Sequence, residues 1–371
     1  MAFFRLSILA AIVLLVKSSV VAFLSPLKDL KLQKTRKYPT IRRRVNCLSS
    51  STFSIDAVLG FFDDYLNRGK STEKLNLENA KDIVSNLVIN QNCYSSAKGA
   101  EEFAEACASD VVYEDCFLEN PVIGKEAVRE RMLLKVRERG GIADSLRLDR
   151  ISDGKKACGF AWAWISGNNM EGLRGTTFVE LNEVGKIVYV REIPESIYKP
   201  GDLTVKLLEA VTKNAKPTPF TPYQKKTPVA ANEIVKYLFN EVQGSEIEES
   251  MRFFDESIVY RDFNFENVLR GKNEVRKFIN DFSFPGIVFK LQKVDDGVLS
   301  SSFTWEVEIN GAKGPKGISL YELNPDTNLI NYVRDIPESA IKPPPLGALA
   351  RVLRPGVGVF QAVAIGSREI E

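Results

Sequence analysis

The sequence predicts an α+β protein of two tandem cone-shaped domains, in each of which helices pack on a curved antiparallel sheet. Three observations indicate this fold class. The chain repeats itself once, each copy has helical patterns followed by strand patterns, and a proline-rich segment separates the copies. The length of 371 residues favours more than one domain, and 44% hydrophobic with 26% charged residues is an ordinary globular composition. This composition excludes a chain that is mainly disordered.

The internal repeat is the strongest feature of the sequence. The segment Tyr189–Ser196 recurs as Tyr332–Ser339 with one difference, because Asp335 stands in the place of Glu192. Further matches, at similar spacing, are Val112–Asp115 with Val259–Asp262, Gly124-Lys125 with Gly271-Lys272, Phe160–Trp162 with Phe303–Trp305, and Glu180–Asn182 with Glu322–Asn324. One repetition of so long a unit indicates two domains rather than a solenoid.

The repeat sets the expected domain boundaries. We expect a first domain at 77–200 and a second at 229–345, joined by a proline-rich linker at 213–228. The C-terminal tail, 346–371, is apolar but interrupted by arginine and proline, which indicates a docking or interfacial segment rather than a membrane span. Whether this tail touches a membrane stays open.

Each copy has helix-period patterns before strand-period patterns. In the second copy we expect helices at 232–243, 245–255 and 273–282, and strands at 258–263, 287–294, 299–309, 316–323 and 329–336. In the first copy we expect helices near 77–93 and 100–109, and strands near 146–151, 157–166, 173–181 and 186–193. A sheet that curves over helices in this order would enclose an apolar cavity.

Histidine is absent, which excludes the catalytic triads, cysteine–histidine dyads and metal sites that depend on it. Any acid–base chemistry must therefore use Asp, Glu, Lys, Tyr or Cys. The sequence also contains no Gly-x-Gly-x-x-Gly segment and no P-loop, so we expect neither a cofactor nor a metal. Cys116 follows Asp115 on the predicted strand and faces the other way, so it is a poor candidate nucleophile.

The first 50 residues have the pattern of a two-part targeting leader. The apolar run 6–16 is too short to span a bilayer, and Val20 and Ala22 fit the small-residue rule for signal cleavage. A basic, nearly acid-free segment begins at Phe23 and is typical of a transit peptide. This arrangement resembles the bipartite leaders of algae with complex plastids. It predicts a cleaved leader and residence in the plastid stroma or at the thylakoid surface, with secretion or residence in the endoplasmic reticulum as the alternative.

The charge is uneven along the chain. The leader, 1–50, holds ten of the 50 basic residues and one of the 48 acidic residues, which leaves 51–371 with a net charge of −7. An acidic body of this kind disfavours nucleic acid as the main partner.

Several motifs resemble the nuclear transport factor 2-like superfamily, and within it the SnoaL-like group. They are a helix pair, a Tyr-x-Asp strand, a Gly-Lys helix start and strands that end in Arg-Asp. Each copy also resembles plastid proteins with a Trp strand, a Gly-x-Ser-x-Tyr-Glu strand and an Arg-Asp-Ile-Pro-Glu ending. The first copy departs from this pattern, with Thr177, Val179 and Glu192 in place of Ser, Tyr and Asp. The resemblance implies a fold but no single function, because the fold hosts isomerases, cyclases, dehydratases, carriers and interaction modules.

Two Tyr-x-Asp pairs are candidate catalytic residues. Tyr113 and Asp115, like Tyr260 and Asp262, lie two residues apart on a strand and therefore share one face. Within an apolar cavity, the aspartate could act as a base and the phenol as a hydrogen-bond donor. The alternative is that each aspartate caps the following turn while the tyrosine packs in the core.

The last strand of each copy carries an arginine next to an acid. By analogy with the SnoaL-like group, Glu192 and Asp335 are candidate bases, and Arg191 and Arg334 then face outward, because adjacent strand residues face opposite sides. The opposite register places each arginine inside, paired with the aspartate of the first strand.

Aromatic residues on the middle strands are candidate ligand contacts. Trp162, Trp305 and Tyr321 could line a cavity, together with Arg191 and Arg334, or they could be ordinary core residues. Two function classes stay open, and with them whether the protein is an enzyme. The first is a non-catalytic binding or assembly module with an apolar pocket, whose domains form an intramolecular pseudo-dimer and which binds an apolar small molecule or a plastid protein. The second is an isomerase or cyclase that acts on a terpenoid, pigment or lipid.

Overall fold

The computed structural model describes residues 79–138, 145–167, 169–196, 198–215, 222–243 and 246–339. The predicted leader and C-terminal tail lie outside the described residues. In the described part of the chain, no helix is long and apolar enough to cross a membrane. The two sheets described below lie within one compact unit of the chain.

The first domain begins with helices, as predicted. Its elements are α1 (Ala80–Ser85), a π-helical turn (Asn86–Asn90), α2 (Ala97–Ala106), β1 (Cys107–Asp115), β2 (Val122–Ile123), α3 (Lys125–Glu138), β3 (Ser145–Ile151), β4 (Ala157–Ile165), β5 (Glu171–Leu181) and β6 (Ile187–Pro194). The helix starts are fixed by side chains, because Asn79 accepts a hydrogen bond from the Asp82 amide and Ser96 accepts one from the Gly99 amide.

The second domain repeats this order after α4 (Asp202–Thr212), a connecting helix that the sequence patterns did not predict. Its elements are α5 (Ala231–Tyr237), a π-helical turn (Leu238–Val242), α6 (Ile247–Met251), β7 (Phe254–Asp262), β8 (Leu269–Arg270), α7 (Lys272–Asp281), β9 (Ile287–Val294), β10 (Ser300–Ile309), β11 (Ala312–Leu323) and β12 (Ile330–Pro337). The described chain is therefore α+β, with two six-stranded sheets and helices beside each, as predicted.

Both sheets have the same strand order, β2-β1-β6-β5-β4-β3 and β8-β7-β12-β11-β10-β9. The pairings are antiparallel except that β1 and β6, like β7 and β12, run parallel. This parallel pair was not predicted, because sequence order does not reveal that the last strand returns to lie beside the first. Register shifts interrupt most of the longer pairings, and such bulges bend a sheet.

Each sheet packs its inner face on its own helices, and a third cluster of buried side chains joins the outer faces of the two sheets. That third cluster contains Cys116, Ala157, Phe178, Tyr189 and Ile193 from the first domain with Phe263, Ile318 and Ile336 from the second. The two sheets are therefore joined by a common apolar cluster as well as by the connecting chain.

Charged contacts between the sheets are reciprocal. Arg150 pairs with Glu322, and its repeat counterpart Lys293 pairs with Glu180, the counterpart of Glu322. A residue and its counterpart that make exchanged contacts define an approximate twofold relation.

Two loops between strands complete this relation. The Asp153 carboxylate accepts hydrogen bonds from the amides of 298–300, and Asp296 accepts them from the amides of Lys155 and Lys156. Beside them, the backbone of Gly159 approaches its counterpart Ser302 so closely that a Cβ at 159 would overlap the serine hydroxyl.

We expect Gly159→Ala to lower the unfolding free energy by about 1–3 kcal/mol, because the new methyl group overpacks the contact with Ser302. The double substitution Gly159→Ser with Ser302→Gly should recover most of this loss, since it only exchanges the two residues across the twofold relation. Gly172→Ala is the matched control, because its nearest neighbours lie at ordinary contact distance. Chemical denaturation measures all three variants. A double variant as unstable as the single one would contradict the reciprocal contact.

Candidate functional site

The structure shows which residue of each arginine–acid pair on the last strand faces the helices. Glu192 accepts a hydrogen bond from the Tyr113 hydroxyl, at 2.6 Å, and Asp335 accepts one from the Tyr260 hydroxyl. The acids therefore point into each domain, on the same face as the Tyr-x-Asp pair. The opposite register, with an inward arginine paired to aspartate, is wrong.

The two arginines face the neighbouring sheet. Arg191 donates to the carbonyl oxygen of Gly317, at 3.3 Å, and Arg334 donates to that of Gly175, at 3.2 Å. These contacts are exchanged between repeat counterparts, as are the ion pairs described above. As candidate ligand-binding residues, Arg191 and Arg334 are thus misplaced, because adjacent residues of a strand cannot both face the interior.

The interior of the first domain holds a closed network of charges around Lys135 of α3. Its ammonium lies 2.6 Å from the Tyr113 hydroxyl, 2.8 Å from Glu192 and 3.0 Å from Asp115. Arg131, one turn earlier on α3, donates to Asp115 at 2.7 Å. Lys135 is 4% exposed, and both acids are 2% exposed, so water has little access to the network.

This network stabilises the ionised form of Asp115. Burial alone would raise the pKa of Asp115, but the positive charges of Lys135 and Arg131 hold it below its ordinary value. Asp115 also accepts a hydrogen bond from the Phe117 amide, at 3.1 Å, which is the turn-capping role that the sequence left open. In the first domain both acids therefore lie in ion pairs with Lys135 and Arg131, and not in the apolar surroundings that were expected.

The second domain has the same acids and tyrosine without the cations. Asp262 and Asp335 form no salt bridge with any described residue, and Asp262 caps its turn through the Asn264 amide, at 2.8 Å. Burial, followed by the charge of Asp335, raises the pKa of Asp262 to about 7. Burial raises the pKa of Asp335 to about 6, although the hydroxyl groups of Ser319 and Tyr260 oppose this shift.

Two substitutions between the repeats account for the difference. When the match of Gly124-Lys125 with Gly271-Lys272 is extended along the helix, Arg131 corresponds to Phe278 and Lys135 to Phe282. The Phe278 ring packs on Tyr260, with 5.5 Å between centroids, and on Phe282, with 4.9 Å. Phenylalanines in this position place apolar rings next to Tyr260 and provide no positive charge.

The acids of the second domain are also more accessible. α7 has ten residues against fourteen in α3, so it ends before the position that corresponds to Lys135. Asp262 and Asp335 keep partial exposure, although their carboxyl groups are closely surrounded by protein. Beyond them lies a cluster of partly exposed rings, formed by Phe265, Phe278, Phe282 and Phe284.

The aromatic candidates on the middle strands are core residues with internal partners. The indole of Trp162 donates to Thr177, at 2.9 Å, and that of Trp305 donates to Ser319, at 2.8 Å. Tyr321 is 5% exposed and packs on the Phe303 ring. The Ser-to-Thr departure of the first copy is therefore conservative, since both hydroxyls accept the indole N–H.

The sequence analysis missed the helix residues that distinguish the two interiors. Extending the match of Gly124-Lys125 with Gly271-Lys272 along the chain pairs Arg131 with Phe278 and Lys135 with Phe282, and this comparison is the sequence signal for them. Cys116 faces away from Asp115, as predicted, and lies in the apolar cluster between the sheets. The described residues include no group of three acidic or thiol side chains that could hold a metal ion.

Two surface depressions lie away from these residues. One, of about 410 Å³, is bordered by Lys226, Tyr237 and Glu241, and the other, of about 310 Å³, by Ile83, Glu102 and Lys186. None of the predicted site residues lines either depression.

No protein-family model matches the chain, and no curated protein matches it. Similar solved structures include a provisionally assigned ketosteroid isomerase from Kribbella flavida, 16% identical, which covers 31% of this chain and 82% of its own with a TM-score of 0.26. A provisionally assigned isomerase of the SnoaL-like family from Agrobacterium tumefaciens is 19% identical over 29% of this chain and 93% of its own, with a TM-score of 0.25. An epoxide hydrolase from M. tuberculosis is 15% identical over 30% of this chain and 85% of its own, also with a TM-score of 0.25.

We expect Lys135→Met to lower the unfolding free energy by about 3–5 kcal/mol, because it leaves Asp115 and Glu192 with too little positive charge in a dry interior. The matched control is Phe282→Met at the corresponding position, where no ion pair is lost. Denaturant titrations at pH 7 compare the two. Equal, small effects would show that the network contributes little to folding.

Asp262→Asn should stabilise the protein more at pH 8 than at pH 4.5. A carboxyl group with a raised pKa in the folded state stabilises it below the unfolded pKa, near 3.8, and loses that contribution as pH rises through about 7. Between pH 4.5 and pH 8 the difference amounts to at most about 3 kcal/mol, at 1.36 kcal/mol per pKa unit, because part of the contribution is already lost below pH 4.5. Thermal melts at both pH values, with the exposed Asp326→Asn as control, measure it. A destabilised variant at pH 8 would mean that an ionised Asp262 is paired in the folded protein.

Proposed function

We propose that the second domain binds an apolar small molecule beside Asp262 and Asp335, and that the first domain is its non-catalytic structural partner. The observation that carries this proposal is the exchange of Arg131 and Lys135 for Phe278 and Phe282 between otherwise matching interiors. One interior is neutralised by its own side chains, whereas the other presents unpaired acids next to partly exposed rings.

Within this proposal the two domains form an intramolecular pseudo-dimer. The exchanged contacts of Arg150 with Glu322 and of Lys293 with Glu180 support it, as do the two arginine–carbonyl contacts. Exchanged contacts of this kind are expected when two copies pack about a twofold axis. The pairing covers the outer faces of both sheets and leaves the helix side of the second domain available to a ligand.

A second candidate function is acid–base catalysis on the same ligand, as an isomerase or cyclase of a terpenoid, pigment or lipid. It is favoured by the raised pKa values of Asp262 and Asp335, since a general acid or base works best when its pKa is near the ambient pH. In this role Asp262 would move the proton, and the hydroxyl of Tyr260, bonded to Asp335, would hold a polar group of the substrate.

The predicted leader indicates the compartment in which the protein acts. We infer from 1–50 that the protein acts in the plastid of an alga with a complex plastid, where apolar ligands of these classes and a protein partner are available.

The proposed site can be tested by copying the first-domain charges into the second domain. Phe278→Arg with Phe282→Lys should bring cations to Asp262 and Asp335, and should abolish binding of the neutral apolar dye Nile red, followed by its fluorescence. Asn280→Lys adds a charge to the exposed side of α7 and should leave binding unchanged. If the double variant binds the dye as well as the wild type, the site lies elsewhere.

A second variant tests catalysis separately from binding. Asp262→Asn should keep dye binding, because its shape and surroundings are retained, and should abolish turnover of any substrate that the wild type converts. Turnover that survives in this variant would remove Asp262 as the base and leave the binding function in place.

A further inference from the structure

The interior of the first domain binds an ammonium group from its own chain. The Lys135 ammonium is bound by three groups at once: the Tyr113 hydroxyl at 2.6 Å, Glu192 at 2.8 Å and Asp115 at 3.0 Å. Two carboxylates and a phenol thus surround one primary ammonium group.

The second domain keeps these three groups and lacks the ammonium. Tyr260, Asp335 and Asp262 are the repeat counterparts of Tyr113, Glu192 and Asp115, and the tyrosine–acid hydrogen bond is retained. The residue in the place of Lys135 is Phe282, beyond the end of α7. Oδ1 of Asp335 is shut off from solvent and has no hydrogen-bond partner among the described residues.

The nearby cations of the chain are engaged elsewhere. The charge of Lys199 lowers the pKa of Asp262, but its ammonium is bound to Glu195 at 2.8 Å and lies over the Phe263 ring. Arg334 points to the other sheet, where it donates to Thr176 at 2.8 Å. Among the described residues, no cation forms an ion pair with Asp262 or Asp335, which leaves a place for the cation of a ligand.

We propose that the second domain binds an organic amine in its ammonium form, with the charged group between Asp262, Asp335 and Tyr260 and the apolar body against Phe278 and Phe282. This inference rests on the proposed function and adds the chemical class of the ligand. A cation in this site favours ionised carboxylates and forms charge-assisted hydrogen bonds with them. A neutral molecule of the same shape obtains only the apolar contact.

A matched pair of probes tests the ligand class. Isothermal titration of the full chain at pH 8 should show that 2-phenylethylammonium binds at least tenfold more tightly than 2-phenylethanol, which differs only at the polar group. Asp262→Asn with Asp335→Asn should remove this preference and leave the weak binding of the alcohol. Asp326→Asn, a charge change at an exposed turn, should leave the preference intact.

Phe282→Lys provides a second test that does not depend on removing the acids. This substitution supplies an internal ammonium, so the protein should stay folded and binding of 2-phenylethylammonium should fall at least tenfold.

Equal affinity of the ammonium and the alcohol in the wild type would overturn the ligand class, as would an ammonium preference that survives the double Asn variant. Nile red binding distinguishes a wrong ligand class from a wrong binding site. If the dye still binds and responds to the Phe278→Arg, Phe282→Lys graft, the proposed site stands without the amine, and if it does not, the site itself is wrong.

Discussion

The cost of placing two carboxyl groups in a dry interior is the constraint on which the difference between the domains depends. The first domain meets it with an ammonium and a guanidinium from one helix, so Asp115 stays ionised. The second domain has no cation there, so the pKa values of Asp262 and Asp335 rise until the acids are partly protonated near neutral pH. The exchange of Arg131 and Lys135 for Phe278 and Phe282 therefore separates a self-neutralised interior from one whose acids form no ion pair among the described residues.

The alternation of side chains along the last strand of each sheet couples this interior to the contact between the domains. In each copy, one residue of an adjacent pair points inward as an acid, and the other points outward as an arginine. Arg191 and Arg334 then reach carbonyl groups of the opposite sheet, beside the shared apolar cluster. Since a shift of one residue would turn the arginine toward the helices and the acid toward the other sheet, the same register holds both the inward acids and the contact between the sheets.

Much of this arrangement could be predicted from the sequence, because strand alternation fixes which side chains share a face. It placed Tyr113 with Asp115 and allowed Glu192 to join them. Strand alternation could not choose between the two registers of the closing strand, since the sequence alone does not show which face the other domain covers. It also could not supply Lys135, because a helix brings that residue to the site across the fold.

The divergence of the two interiors has an energetic reason. Acids without a cation partner lower the stability of the second domain at neutral pH, and under the proposed function a domain that binds ligand through them cannot also satisfy them internally. The first domain has no such conflict, since Lys135 and Arg131 neutralise it and its outer face still contributes to the shared core. Because the contacts between the sheets are exchanged and do not involve the inward residues, one interior could change while the contact stayed the same. A paired fold of this kind lets one copy stabilise the other, and so permits a site whose acids would be costly in a single domain.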